Sequence, residues 1–172
     1  MARDPLADPG PLIRRVYAYV AYRIGDGAEA EDVTSETFER ALRYRESYDA
    51  GRGEPVAWLI GIARRCIEGT RLRPEPLGAA EEAADPIDVA GATIERLTLA
   101  QAVERLDERD RELIALRYGS DLSARQIGEV LELRTNAVEV ALHRALARLR
   151  KLLEDEDTAQ ADARLTERPS TL

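Results

Sequence analysis

Residues 74–92, PEPLGAAEEAADPIDVAGA, hold three prolines, two glycines and no basic residue. Proline donates no backbone hydrogen bond and clashes with the preceding helical turn, so no continuous helix crosses this stretch. Its acidity and sparse large apolar side chains leave it little to bury, as in a solvated linker. The chain is thereby cut in two. On both sides apolar residues recur three and four apart rather than in alternation, which predicts helices. The expected fold is all-α, with two small helical domains over 1–73 and 93–153. An acidic flexible linker over 74–92 joins them, and an acidic tail over 154–172 reads as disordered.

Turn residues set the helix borders. Asp8-Pro9-Gly10-Pro11 precedes a helix over about 12–24, with Ile13, Tyr17, Val20 and Ile24 on one stripe. Asp26 and Glu29 have capping-box spacing and open a helix over about 27–45. Val33, Thr37, Ala41 and Tyr44 mark one side of it, beside Phe38 and Leu42. After a Gly-rich loop, a third helix starts near Pro55, presents Trp58, Leu59, Ile62, Ala63, Cys66 and Ile67, weakens at Gly69 and stops before Pro74. In the second half helices are predicted over about 93–106 and 108–118. A Ser123–Gln126 capping box then opens a short helix to about Leu131, and a final helix runs over about 136–153.

The net charge is −8, which alone argues against a nucleic-acid partner. Its distribution reverses the argument. Residues 74–95 hold six acids and no base, and 154–172 hold six acids against Arg164 and Arg168, so the remainder carries +2. Lys151 is the only lysine. The other basic residues are arginines, which make planar, two-pronged contacts to phosphate and guanine.

Residues 122–153, LSARQIGEVLELRTNAVEVALHRALARLRKLL, read as a helix-turn-helix. Val138, Leu142, Ala145 and Leu149 pack the second helix inward. Asn136, Glu139, Val140, His143 and Arg144 then lie outward near its N-terminal end, the end that meets base edges in a major groove. Two amphipathic helices around a turn also occur in any helical bundle, so spacing alone does not decide DNA binding. Glu139 has two readings. With Asn136 as N-cap it closes a capping box, contributing on the order of 1 kcal/mol; alternatively it reads a base. Capping is the preferred reading.

Several classes are excluded. Cys66 is the single cysteine, so neither an internal disulfide nor a cysteine metal cluster is expected, and its apolar setting predicts a buried thiol. His143, the single histidine, has no partner at ligand spacing, so no metal site is expected. There is no phosphate-cradling glycine loop and no nucleophile–base pattern, hence no enzyme, cofactor or small-molecule substrate. No apolar run approaches the roughly 20 residues of a membrane span, and the N-terminus lacks a signal-peptide core. A cytoplasmic protein with no membrane partner is expected.

AEDVTSETFERAL (30–42), AWLIGIARR (57–65) and LDERDRELIALRYGSDLSARQIGEVL (106–131) follow one another around the acidic linker. In that order they resemble the successive conserved regions of the extracytoplasmic-function sigma factors of bacterial RNA polymerase, a likeness covering about 12–153. The resemblance implies two partners, core RNA polymerase and promoter DNA. It carries polymerase-clamp binding onto Asp32, Ser35, Glu36 and Glu39. It carries recognition and melting of the downstream (minus-ten) element onto Ser47, Tyr48, Asp49 and Arg52 of the loop 47–54, and onto Trp58, Arg64 and Arg65. Trp58 by itself reads as core with an exposed edge. The upstream (minus-thirty-five) element falls to Ser123, Arg125, Arg134, Asn136, Glu139, Val140, His143, Arg144 and Arg148, with phosphate contacts from the arginines and from backbone N–H groups at Ser123 and Asn136. The acidic linker is implied to thread toward the polymerase active centre. The chain departs from the family at Ser35 (usually glutamine), at Gly69, and at Glu139, Val140 and Ala141, where basic or small polar residues are common. A stand-alone helix-turn-helix regulator and an interaction protein with impaired DNA binding stay open as alternatives, as does an anti-sigma factor as a further partner.

Overall fold

The computed structural model describes residues 4–72 and 94–166; the expected linker over 74–92 lies outside the described residues. Helix α1, Pro9–Ile24, begins three residues before its expected start. Pro9 suits the first helical position, where its missing N–H has no partner to lose. Helix α2 spans Ala28–Arg43. The Asp26–Glu29 capping box does not form: Gly27 is the N-cap and no side chain bonds there. Asp26 instead accepts a hydrogen bond from the Tyr17 hydroxyl of α1, a tertiary partner that displaces the local one. One 3-10 turn, Arg45–Ser47, ends this hairpin. Helix α3, Pro55–Arg71, carries Gly69 without a break.

In the second segment α4 spans Ile94–Glu104 and α5 spans Glu108–Ile114. The Asp107 side chain caps α5 by accepting from the Asp110 N–H at 2.8 Å. The continuous helix expected to 118 widens instead into a π-type turn, Ala115–Gly119, where Ser120 N–H reaches back to the Ala115 carbonyl. Helix α6, Ala124–Leu131, opens on the expected Ser123–Gln126 capping box. The chain leaves α6 through Glu132 in the left-handed region, φ 57°. The Gly128 carbonyl takes the Leu133 N–H there. A Cβ on Gly128 would lie 2.6 Å from the Leu133 carbonyl oxygen, so this turn requires glycine. Helix α7 spans Thr135–Thr166. The tail expected to be disordered from 154 is therefore helical to 166. Extending a helix already anchored by packing fixes one residue per added bond, without a new nucleus, and Arg105 ties Glu156 at 3.2 Å.

The two segments share one core. Val16, Tyr19, Val20, Val33, Leu59, Ile60 and Ile67 cluster with Leu113, Leu116, Leu122, Ile127 and Val138. This rotates the buried face of α1 away from the expected stripe. Ile13 is exposed and Tyr17 and Ile24 are half-buried, whereas Val16, Tyr19 and Arg23 are buried. On α2, Thr37 and Ala41 are buried as expected, but Tyr44 and Leu42 are exposed. Gly119 sits directly on α1: a Cβ there would lie 2.9 Å from the Tyr19 backbone. Each large apolar side chain fully buried contributes roughly 1.5–3 kcal/mol, against about 0–1 kcal/mol for an exposed ion pair. The apolar seam around Tyr19 and Leu116 therefore dominates the docking, and the polar contacts fix its register.

Candidate nucleic-acid interface

Three surfaces carry the residues singled out from the sequence. The first is the outer side of α6 and α7. Val138, Leu142, Ala145 and Leu149 are buried, as their spacing requires. Asn136, Glu139, Val140, His143 and Arg144 are all exposed on the other side. Because α7 starts at Thr135, Asn136 is its second residue and not its N-cap. With Arg134 as the N-cap, Glu139 lies two residues beyond the position that closes a capping box, so the preferred capping reading of Glu139 is corrected: among the described residues nothing bonds its carboxylate. Val140 is 51% exposed, a methyl-bearing surface of the kind that meets the thymine methyl in a major groove.

The arginines of this surface divide. Arg134 and Arg144 are exposed and belong to none of the ion pairs among the described residues. Arg125 pairs with Glu129 one turn on, at 3.2 Å. Arg148 bonds Asp110, a carboxylate only 5% exposed. An unpaired buried charge is strongly destabilising, so Arg148 holds α5 to α7 in addition to any phosphate contact. The Ser123 hydroxyl is spent on the cap of α6.

The second surface is α3 with the loop before it. Trp58 is half-buried against the core, and its ring meets that of Tyr48 with centroids 5.4 Å apart. The Tyr48 hydroxyl donates to the Gly53 carbonyl at 2.9 Å, closing the loop on itself. Ser47, Asp49 and Arg52 line the same side, around a cavity of about 230 Å³ whose far wall is Glu129 and Val130 of α6. Arg65 is exposed. Arg64 is not free: its Nε donates to Glu112 at 2.7 Å and a terminal nitrogen donates to the Val130 carbonyl at 3.2 Å.

The third surface is the polar side of α2. Asp32, Ser35 and Glu39 are exposed, and Glu36 pairs with Arg40 at 2.6 Å. Beneath it Cys66 is buried, and burial pushes its thiol up, which keeps it protonated and inert.

Sequence reasoning missed the residues joining the two halves. Arg15 donates to the carbonyls of Ser120 and Asp121 at 2.7 and 3.0 Å. Arg23 donates to the Glu108 carbonyl at 3.3 Å, and Arg71 bonds the Glu108 carboxylate. That hydrogen bond, then the charge of Arg71, hold the Glu108 carboxyl below its ordinary range. Tyr19 reaches Glu112 at 3.4 Å, and burial pushes its hydroxyl far above the usual range. No local pattern marks these residues, since their partners lie 37 to 106 positions away.

Residues 11–68 match the family model of sigma-70 region 2, and residues 96–149 match that of sigma-70 region 4. The chain is 34% identical over 150 residues to the ECF RNA polymerase sigma factor BldN of Streptomyces coelicolor; the match covers 82% of this chain and 57% of BldN, little more than half its length. It is 30% identical over 148 residues to the ECF RNA polymerase sigma factor SigL of Mycobacterium tuberculosis, covering 81% of this chain and 83% of SigL. Among solved structures, CnrH in complex with the cytosolic domain of CnrY is similar at 26% identity and a TM-score of 0.62, covering 87% of this chain and 85% of that one. The sigma factor RpoE of Bartonella quintana, in complex with the anti-sigma factor NepR, has the same fold at 19% identity and a TM-score of 0.63, covering 83% and 92%.

Proposed function

The chain belongs to the extracytoplasmic-function sigma factors of RNA polymerase, and from that premise we propose that it binds core polymerase and directs initiation at selected promoters. It is a DNA-binding initiation factor: the polymerase makes RNA, and this subunit chooses the start and carries out no bond-making step of its own. Its template is chromosomal DNA, so it works in the cytoplasm. One observation carries the reading. A helix bearing Trp58, Arg64 and Arg65 and a helix-turn-helix with an open outer face occur in one chain, in the order of regions 2 and 4.

The exposure of the three surfaces supports a division of labour. Asp32, Ser35, Glu36 and Glu39 meet the polymerase clamp. The loop 47–54 and α3 hold opened strand of the downstream element. The outer face of α6 and α7 reads the upstream element: Arg125, Arg134 and Arg144 on phosphate, and Asn136, Glu139, Val140 and His143 on base edges. CnrH and RpoE were solved with a bound partner, in the case of RpoE an anti-sigma factor; an anti-sigma factor is the corresponding partner here.

Reconstitution with core polymerase, transcription of a promoter library and mapping of the 5′ ends test the proposal. Initiation at a shared two-part element, dependent on this protein, is expected. Tight, sequence-specific duplex binding by the free protein with no effect on polymerase would favour the stand-alone regulator.

A further inference from the structure

Resting on that reading, we infer that α7 selects its upstream element by the C5-methyl group of a thymine, seated on an apolar patch of Ala137, Val140 and Ala141, with a cytosine in the adjoining base pair held by Glu139. The patch is the first observation. These three residues stand three and four apart, so they adjoin on one side of the helix. Ala137 and Val140 are exposed and Ala141 is half-buried. An outward helix face is ordinarily polar, and Asn136, Glu139, His143 and Arg144 around the patch obey that rule. The exception falls in the first two turns of α7, the part of such a helix that reaches base edges. From Thr135 to His143 the single charged side chain is Glu139, so cations do not dominate this part of the surface.

The second observation is what brackets the patch. Arg134 and Arg144 are exposed and enter none of the ion pairs among the described residues. They lie about 15 Å apart along the helix, comparable with the roughly 12 Å width of a major groove, so phosphates on both walls are within their reach. A protein partner needs far more buried area than three small side chains supply; one methyl group does not. The chemistry then names the bases. In the major groove the thymine methyl is the one apolar group on offer, and a carboxylate pairs with the cytosine amino group. Glu139 and Val140 project about 100° apart around the helix, so they address neighbouring base pairs rather than one. A methyl contact displaces no counterions, and this selectivity is therefore independent of salt, unlike the phosphate contacts of the arginines.

Holoenzyme reconstituted with the full-length chain is bound to a promoter recovered from a randomised upstream library, and each upstream thymine is replaced in turn by deoxyuridine. Uracil keeps the base pairing and every polar edge group and lacks only the methyl. At one thymine, adjoining a cytosine, the replacement is expected to weaken binding about 4-fold, as for one buried carbon group. The ratio should be the same at about 0.05 M and about 0.2 M salt. In Val140→Ala the same replacement should cost little, and in Val140→Ile the loss should persist. Arg144→Ala should weaken the thymine and uracil duplexes alike. Indifference to uracil at every position, or a loss that survives in Val140→Ala, overturns the inference and leaves the patch to a protein partner. A holoenzyme that starts at no shared element strikes the sigma reading and this inference with it. Normal initiation with indifference to the methyl strikes the inference alone.

Discussion

The two surfaces proposed to meet DNA are in opposite states. On α7 the outer face is open: Asn136, Glu139, Val140, His143 and Arg144 project to solvent with their polar groups unspent. On α3 the corresponding face is engaged, with Arg64 held by Glu112 and the Tyr48–Trp58 cavity walled by α6. Both faces are built on amphipathic helices with buried inner stripes. What differs is the neighbour. The difference teaches that a helix pattern determines which side is available, while domain docking determines whether it is free.

The comparison breaks most severely at Gly128. Its missing Cβ lets the Leu133 carbonyl approach, so Gly128→Ala should cost about 3 kcal/mol in urea unfolding and misalign α6 and α7. An unchanged midpoint would show that the turn yields without cost. Next, the arginines separate structure from recognition. Arg148→Ala strands the buried Asp110 carboxylate and should cost about 2 kcal/mol, less than for a fully buried pair because Arg148 is half-exposed. Arg144→Ala should leave the unfolding midpoint unchanged and weaken holoenzyme binding to every upstream sequence alike. Equal stability losses for the two would erase the distinction.

Glu139 sharpens the open side. With no cap to close, Glu139→Gln should leave stability unchanged. It should shift preference at one upstream position from cytosine toward adenine, by about 1 kcal/mol. A randomised upstream-element library transcribed with both holoenzymes measures this; an identical preference returns Glu139 to a solvated helix face. The smallest effect lies on the engaged side. The Glu108 carboxyl is held below its ordinary range by the Arg71 hydrogen bond. Its contribution to docking is therefore complete above the usual glutamate pKa of about 4.3 and is lost as pH falls through the lowered value. Scattering during acid titration should show expansion on that limb, and Glu108→Gln should flatten it.

Much of the fold was legible because its signals are local. The Ser123–Gln126 cap, the inner stripe of α7 and the start of α3 at Pro55 all act within one or two turns. Errors came where a distant group outbid a near one. Asp26 had Glu29 at capping distance in sequence but bonds Tyr17, nine residues back in α1. Asn136 had the right type for an N-cap, yet α7 begins one residue earlier. Residues 154–166 are acidic, but alanines and a packed helix before them carry α7 onward.

The sequence by itself determined an all-helical chain in two halves, the inward stripe of each helix proposed to meet DNA and the basic residues opposite. These depend on propensities and caps that reach no further than about four residues. Only the tertiary structure decided that Val16, Tyr19 and Arg23, rather than Ile13 and Tyr17, form the buried face of α1, and that Arg64 meets Glu112. Docking is a sum of burial over residues some hundred positions apart, and no window of sequence contains both sides of it.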